Sequence, residues 1–456
     1  WLAGLFLSMP QILPAYEAYG NTVRSGSFVK GEIIPWQYLI TLFAPDFYGN
    51  PVTRNDWFGH YAEWAGFIGV VPLMLALLAL TGKKGKSEWF FGIVGLGALL
   101  FALPTPLSDM LFWSRIPALS TSAASRIIVV VSFSLAVLSG FGFDALTQLW
   151  KQKKGKKIIG FSLAIGVFLI VLWGVVFLVQ PLPIEKLIVA KRNIILPSIV
   201  ALSALCCFFI GRLNIKLLTR LVPFVLLILT AFDLSRFATK WMPFEPKEFV
   251  YPKMGVVEFL EKNVGTFRVF GNVGNELGTY FGIPLLEGYD AVYQRRYGEF
   301  VSALSRGSVG ELSRSIVPID KHGEFTQEAF KLLGVRYVVH RISDGRNIWA
   351  YPVWNYPYYN LVYKDEHFEV HENTRVFPRA FLASSYTLRS SDSEILRGFF
   401  DPGIDRRETL VLEEKPEREP EKGEGSVDII RYEPTRIAMR IQTSVPKLLF
   451  LSDSYH

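Results

Sequence analysis

Up to about Ala238, long apolar runs alternate with short polar loops; from about Thr239 the apolar positions are interspersed with dense charge. A helix needs about 20 mostly apolar residues to cross a bilayer. By that measure the candidate spans are 1–15, 61–81, 88–104, 127–149, 158–180, 194–211 and 221–238, about seven in all. The first contains Pro10 and Pro14 and reads as the tail of a longer helix. The stretch 40–80 organises the rest. Pro45, Gly49, Asn50 and Pro51 forbid a continuous helix in its first half, and YAEWAGFIGVVPLMLALLAL follows as a span. Tyr61, Glu63 and Trp64 mark the water boundary, where amphipathic rings settle. The segment 34–43 predicts a short helix lying in the interface, or a plain packing or re-entrant helix.

The loops orient these spans. Lys83, Lys84 and Lys86 fall in one; Lys151, Lys153, Lys154, Lys156 and Lys157 in a second; Arg212, Lys216 and Arg220 in a third. Alternating spans put all three on one side, which the positive-inside rule makes cytoplasmic. Loops 16–60, 105–126 and 181–193 then face outward, with everything after the last span. Lys186, Lys191 and Arg192 are an exception on the outer side.

The second part, 239–456, predicts a mixed α and β domain with its own core, after a membrane domain at 1–238. Helical spacing appears at 254–263, 295–304, 326–334 and 391–400, the last with Ser391 as N-cap. Strands are predicted at 267–271, 336–340, 361–372, 379–384 and 408–414. Residues 414–425 read as a solvated loop, 427–443 as a hairpin, and a further strand begins at KLLFLS.

Composition sharpens this picture. The 456 residues are 50% hydrophobic with mean hydropathy +0.27, high for a soluble chain. Net charge is +7, but many lysines lie in short loops between spans, so basicity is no nucleic-acid signal. The only cysteines, Cys206 and Cys207, are adjacent in an apolar run and imply no disulfide framework. The first residue is Trp1 and the chain stops just after an apparent strand, so truncation at both ends is expected.

Soluble-enzyme signatures fail. GIVGLG (92–97) lies in a span, and GNVGNELG (271–278) lacks the spacing and full strand–turn–helix context of a dinucleotide fold. HFEVH (367–371) has its histidines on a strand pattern rather than the helix of a metalloprotease. Three features carry more. Arg115 and Arg126 flank a Ser/Thr-rich turn near the outer face, where a guanidinium can grip a phosphate or anchor to lipid head groups. Asp46, Asp56 and Glu63 are acids on that face, able to act as a general base, to hold a divalent cation, or merely to solvate a loop. Asp233 lies within the last span, and its spacing suits an ion pair with Arg236.

QILP near the start, the PDFYGNP loop, YAEWAGFIGVVPLMLALLAL, and AASRIIVVVSFSLAVLSGFGFDAL following Arg115 resemble the bacterial YfhO-type membrane proteins. So do GYDAVYQRRY, LLGVRYVV, FEVHEN before FPRAFLAS, and LFLSDSYH, so the resemblance covers nearly the whole chain. It implies a polytopic α-helical membrane domain of the GT-C type followed by a mixed α/β extracytoplasmic domain. The implied activity is sugar transfer from a polyprenyl-phosphate carrier, at the outer face of the plasma membrane, to a glycan or cell-wall polymer such as teichoic acid. GT-C enzymes generally keep a catalytic acid in their first outer loop, expected here upstream of Trp1. Family members usually continue past an SDSYH-like segment with a Gly-Trp turn and further strands. The visible site residues are then Asp46, Asp56 and Glu63 as secondary acids, with Arg115, Arg126, Tyr48 and Tyr61 as substrate contacts. Membrane lipids and the acceptor are the other partners; nucleic acid is not. A transporter or flippase of lipid-linked sugars, and a non-catalytic assembly protein, are the rival readings. A transporter would show charged or broken helices at mid-membrane, and these spans have almost no central charge.

The orientation is directly testable. A cysteine placed in the 414–425 loop should react with a membrane-impermeant thiol reagent on intact cells. Labelling only after lysis would reverse the topology.

Overall fold

The structure is a computed structural model that describes residues 2–26, 32–82, 85–116, 120, 123–152, 155–178, 183–213, 215–242, 244–290, 292–313, 315, 317, 319–343, 345 and 356–454. Of the orienting lysines, Lys83, Lys84, Lys153 and Lys154 lie outside these, as do Tyr455 and His456 of the terminal motif. The chain divides into two units, Trp1–Ser27 with Glu245–His456, and Phe28–Phe244. The division therefore differs from a cut at residue 238. The first helix, α1 (Leu2–Gly20), groups with the C-terminal region and runs unbroken through Pro10 and Pro14. It is not among the helices long and apolar enough to cross a membrane.

In the second unit the helices are α2 (Val70–Ala79), α3 (Lys86–Ala102), α4 (Pro106–Trp113), α5 (Ile128–Lys151), α6 (Gly155–Leu178), α7 (Ile184–Arg212) and α8 (Lys216–Trp241). Among the described residues, four helical segments are long and apolar enough to cross a bilayer: Ala124–Lys151, Gly155–Leu178, Ile184–Arg212 and Leu217–Trp241. The pair α3 and α4 counts as a fifth if the 70° bend between them is allowed within one span. Against about seven predicted spans, the described residues hold four or five helices of that length and composition. Pro104 and Pro106 make the bend, and Thr105 with Ser108 forms a capping box that restarts the chain as α4.

The predicted span 61–81 is the larger correction. Residues 61–69 are irregular, and only ten residues, Val70–Ala79, are helical. Gly66 and Gly69 lie in the approach, and Gly69 holds φ at 93°, which favours glycine. The result is a half-length helix buried on nearly every side. Such backbone is tolerated at membrane depth only when enclosed by protein.

Small residues let the helices close around α2. A Cβ on Gly142 of α5 would sit 1.8 Å from the carbonyl oxygen of Leu75. A Cβ on Gly211 of α7 would strike the Trp150 ring, whose Nε1 donates to the Phe208 carbonyl at 2.9 Å. Small residues at such crossings are how membrane helices gain van der Waals contact. Leu163, Val167 and Ile170 of α6 and Leu227 and Ile228 of α8 point outward, as suits hydrocarbon rather than water.

In the other unit, α9 (Gly255–Asn263), β1 (Arg268–Gly271), α10 (Asn275–Phe281), α11 (Arg295–Ala303), α12 (Thr326–Leu332), β2 (Val335–Arg341), β3 (Tyr359–Lys364) and β4 (Phe368–Asn373) build a mixed sheet of order β1-β2-β4-β3. Strand alternation sorts it into two cores. Phe270 and Val338 pack with Phe330 of α12, while Val269, Val339 and Val370 pack with Val257 and Leu260 of α9. The predicted single strand 361–372 is two strands, because Asp365 accepts from the backbone N–H groups of His367 and Phe368 and turns the chain. The strand–turn–helix that the sequence reading denies to GNVGNELG is present as β1 and α10. Its glycine spacing is still not that of a dinucleotide fold.

The remaining elements are β5 (Ala380–Ala383), β6 (Ser385–Leu388), α13 (Asp392–Phe400), β7 (Thr409–Leu412), β8 (Gly425–Glu433), β9 (Arg436–Thr443) and β10 (Leu448–Leu451). β5 pairs antiparallel with β10, which joins FPRAFLAS to LFLSDS. Arg379, fully buried, fastens that joint through Ser452, Asp453, Tyr432 and the Thr266 carbonyl.

The α2–α5 contact gives a sign test. Gly142→Ala should destabilise by roughly 1–3 kcal/mol or more through overpacking, although alanine is the better helix former. Gly140→Ala, where a Cβ meets nothing within 4 Å, should be neutral or stabilising. Thermal unfolding in detergent reads both; equal behaviour would dismiss the close approach.

Candidate functional site

The segment from Pro35 to Tyr61 is wired by its own side chains. Pro35 leads into a 3-10 helix, Trp36–Leu42, with Tyr38 and Thr41 buried, so the predicted interfacial helix is mostly a packing element. The Asn50 side chain accepts from Val52 N–H at 2.9 Å and starts the next turn. Gly49, at φ 90°, passes so close to Asn55 that a Cβ would overlap its backbone. Four rings then stack: Tyr38 and Tyr48 lie parallel at 5.4 Å, with Trp64 edge-on to Tyr38 and Trp57 edge-on to Tyr48. Tyr48 Oη donates to the Gln37 carbonyl at 2.8 Å. Burial pushes both the Tyr38 and Tyr48 hydroxyls up to about 12, so they stay neutral donors.

Asp46 is the hub. Its Oδ1 accepts from Tyr61 Oη at 2.5 Å and from Asn50 Nδ2 at 2.9 Å; its Oδ2 accepts from Lys240 Nζ of α8 at 2.6 Å. Asn193 of α7 donates to its backbone carbonyl at 2.6 Å. Burial by itself raises the Asp46 pKa, but the hydrogen bonds from Lys240, Tyr61 and Asn50 outweigh it and hold the carboxyl below its ordinary value. The Tyr61 hydroxyl is pushed far up by burial and by the bond to Asp46. Asp46 is therefore a charged structural clamp and a poor proton acceptor.

The other predicted residues are placed differently. Arg126 Nη2 meets Glu63 Oε1 at 2.7 Å, with side chains 59% and 42% exposed, so the pair is worth at most about 1 kcal/mol. Asp56 is exposed and makes no hydrogen bond or ion pair among the described residues. Arg115, exposed, ends α4 with φ at 50°. Asp233 does not serve the expected pair with Arg236. Its Oδ2 accepts from Val70 N–H at 2.9 Å and caps α2. Among the described residues, no three His, Cys, Asp or Glu side chains converge on a metal site. Asp46 is committed to Lys240, so the acids as arranged do not fit a divalent cation.

Beside the clamp lies a cavity of about 610 Å³ between the aromatic loop and α6 and α7. Ile40, Phe47 and Trp57 line one wall; Phe168, Val175 and Leu187 line the other. Lys186 Nζ lies 5.1 Å from the Trp57 ring centre. Lys240, Asn193 and Lys186 carry no local motif; a lysine near the end of a span ordinarily reads as a snorkelling anchor.

Comparison with family models, curated proteins and solved structures returns no match, so the resemblance to YfhO-type proteins stands on the quoted motifs alone.

The clamp predicts a coupled pair. Lys240→Ala alone should cost about 3–5 kcal/mol, because it leaves the buried Asp46 carboxylate unpaired; Asp46→Ala should cost less, since Lys240 is 27% exposed, and the double variant should recover part of the Lys240→Ala loss. A folded pKa below the ordinary 3.8 means Asp46 stabilises the fold above that pH and loses this as pH falls through its lowered value. Acid melts of wild type and Asp46→Asn should therefore converge at low pH. A constant gap between them would remove the charge from the account.

Proposed function

We propose that the chain is a GT-C-type membrane glycosyltransferase. It moves a sugar from a polyprenyl-phosphate carrier to an extracytoplasmic glycan or cell-wall polymer at the plasma membrane. The observation that carries the reading is the apolar cavity roofed by the aromatic loop, which suits the chain of a lipid carrier while the polar loop faces the sugar. The orientation rests on the basic loops either side of α6 and α7, at 151–157 and 212–220, which an even number of spans separates. Residues after α8 then lie opposite those loops.

In this reaction an acceptor hydroxyl attacks the sugar's anomeric carbon. The bond from that carbon to the phosphate oxygen breaks, polyprenyl phosphate departs with its electron pair, and a base takes the hydroxyl proton. Of the three acids, Asp56 has a carboxylate free for that proton; Asp46 and Glu63 are engaged. One observation favours the transporter reading instead, namely the half-length α2 capped by an acid from within a span. Against it, the spans carry almost no charge at their centres.

The test is sugar release from polyprenyl-phosphate-linked sugar by the whole protein in proteoliposomes, with a polymer acceptor. Transfer by wild type, and a loss of about 10²-fold or more in Asp56→Asn, is expected for a general base. Movement of intact lipid-linked sugar between leaflets without transfer would establish the transporter.

A further inference from the structure

The apolar helix α8 ends at Trp241, but exposed apolar side chains do not end there. Met242 and Phe244 are exposed, and so are Phe249, Val250 and Tyr251 further on. Phe249 follows Trp241 by eight residues, which reach about 29 Å when fully extended. The turn that carries Phe249 holds itself. Pro246 leads into a 3-10 turn, Lys247–Phe249, where Phe249 N–H donates to the Pro246 carbonyl at 3.0 Å and Val250 N–H to the Lys247 carbonyl at 3.2 Å. No residue of that turn is buried. A turn surrounded by water is ordinarily polar. This one presents a phenylalanine that is 64% exposed.

Tyr251 ties the turn to the mixed-sheet unit. Its ring lies flat on Tyr280 of α10, with centroids 4.0 Å apart and planes 7° apart. Leu277 and Phe281 fix α10 against the core around Val257 and Val269. Tyr280 of the same helix is nevertheless 60% exposed. The exposed rings therefore belong to the framework of that unit, and one of them stands 39 positions beyond the end of α8.

Three features select the occupant of this face. The chain joins it directly to the end of a membrane-length helix. Its three rings expose roughly 250–400 Å², well short of the ~800 Å² per partner that a stable protein interface buries. The charges beside it cancel, Glu245 and Glu248 against Lys247 and Lys253, so neither an anionic nor a cationic partner is favoured. Phenylalanine and tyrosine without net charge suit the boundary between headgroups and hydrocarbon.

We propose that Phe249, Val250, Tyr251 and Tyr280 form a docking face for the bilayer surface, which holds the mixed-sheet unit to the membrane through α10 as well as through the chain leaving α8. The contact is independent of the reaction proposed above. It fixes the tilt of that unit over the bilayer, which a tether alone leaves free.

Spin labels test this in the whole protein, in phosphatidylcholine nanodiscs, with Cys206 and Cys207 replaced by alanine. Labels are placed one at a time at Phe249→Cys, Val250→Cys and Tyr280→Cys, with Arg418→Cys in the exposed 414–425 loop as reference. Collision with oxygen, which concentrates in hydrocarbon, is compared with collision with a water-soluble nickel chelate. The three labels should favour oxygen several-fold more than the reference does. Adding Phe249→Glu and Tyr251→Glu should return the label at 250 to the reference ratio with an unchanged melting point; a ratio that stays high would remove these rings from the contact and overturn the proposal. Nickel access at all three positions would place the face in water. Shielding from both reagents would mean that protein covers it, and either result overturns the docking. Oxygen preference at 249 with nickel preference at 280 would confine the contact to the tether and overturn the role of α10.

Discussion

A backbone that is not helical must still satisfy its N–H and C=O groups when apolar helices surround it. Between its short 3-10 turns, the segment from Pro35 to Gly69 is such a backbone where it is buried, at Asp46 and at the approach to α2, and distant side chains solve its problem there. Asn193 takes the Asp46 carbonyl, Lys240 neutralises the Asp46 carboxylate, and Asp233 receives the Val70 N–H that begins α2. Two of these come from α8 and one from α7. The aromatic stack, the cavity wall and the half-helix all inherit their positions from those contacts.

The same contacts explain which parts of the architecture were legible beforehand. α5, α6 and α8 were readable because unbroken apolar length is a local property, and it survives whatever packs around it; α7 starts at Ile184, ten residues before the predicted span and inside the predicted outer loop 181–193. Most of the strands and helices after Gly255 were readable from alternation and helical spacing. The 61–81 run misled because its hydrophobicity reflects burial in protein rather than in lipid, and hydropathy does not separate the two. Gly66 and Gly69 were the available warning. The bend at Thr105 was signalled by Pro104 and Pro106, but the capping box that makes it sharp shows only when Ser108 is seen to turn back. Asp233 stands out in the sequence as an acid within a span, and local spacing points to Arg236, which lies near as a charge; its hydrogen-bond partner, Val70 of another helix, has no such local trace.

The candidate site was less legible than the fold. The loop with Asp46, Tyr48 and Tyr61 was recognised as special, but geometry makes Asp46 a clamp and Tyr48 part of a ring stack. Trp57 Nε1, buried without an acceptor among the described residues, belongs to no motif, and its state is visible only after its neighbours are placed.

The capping of α2 by Asp233 also bears on biosynthesis. Val70 leaves the ribosome 163 residues before its acceptor does. At roughly 5–20 residues per second, the delay is on the order of 10–30 s. For that time a ten-residue apolar helix, too short to anchor itself across a bilayer, keeps an open first turn even after α5 has been made and can close on it at Gly142. Completion of α8 then supplies the one acceptor that its first N–H group lacks, so a late helix finishes the cap of an early one.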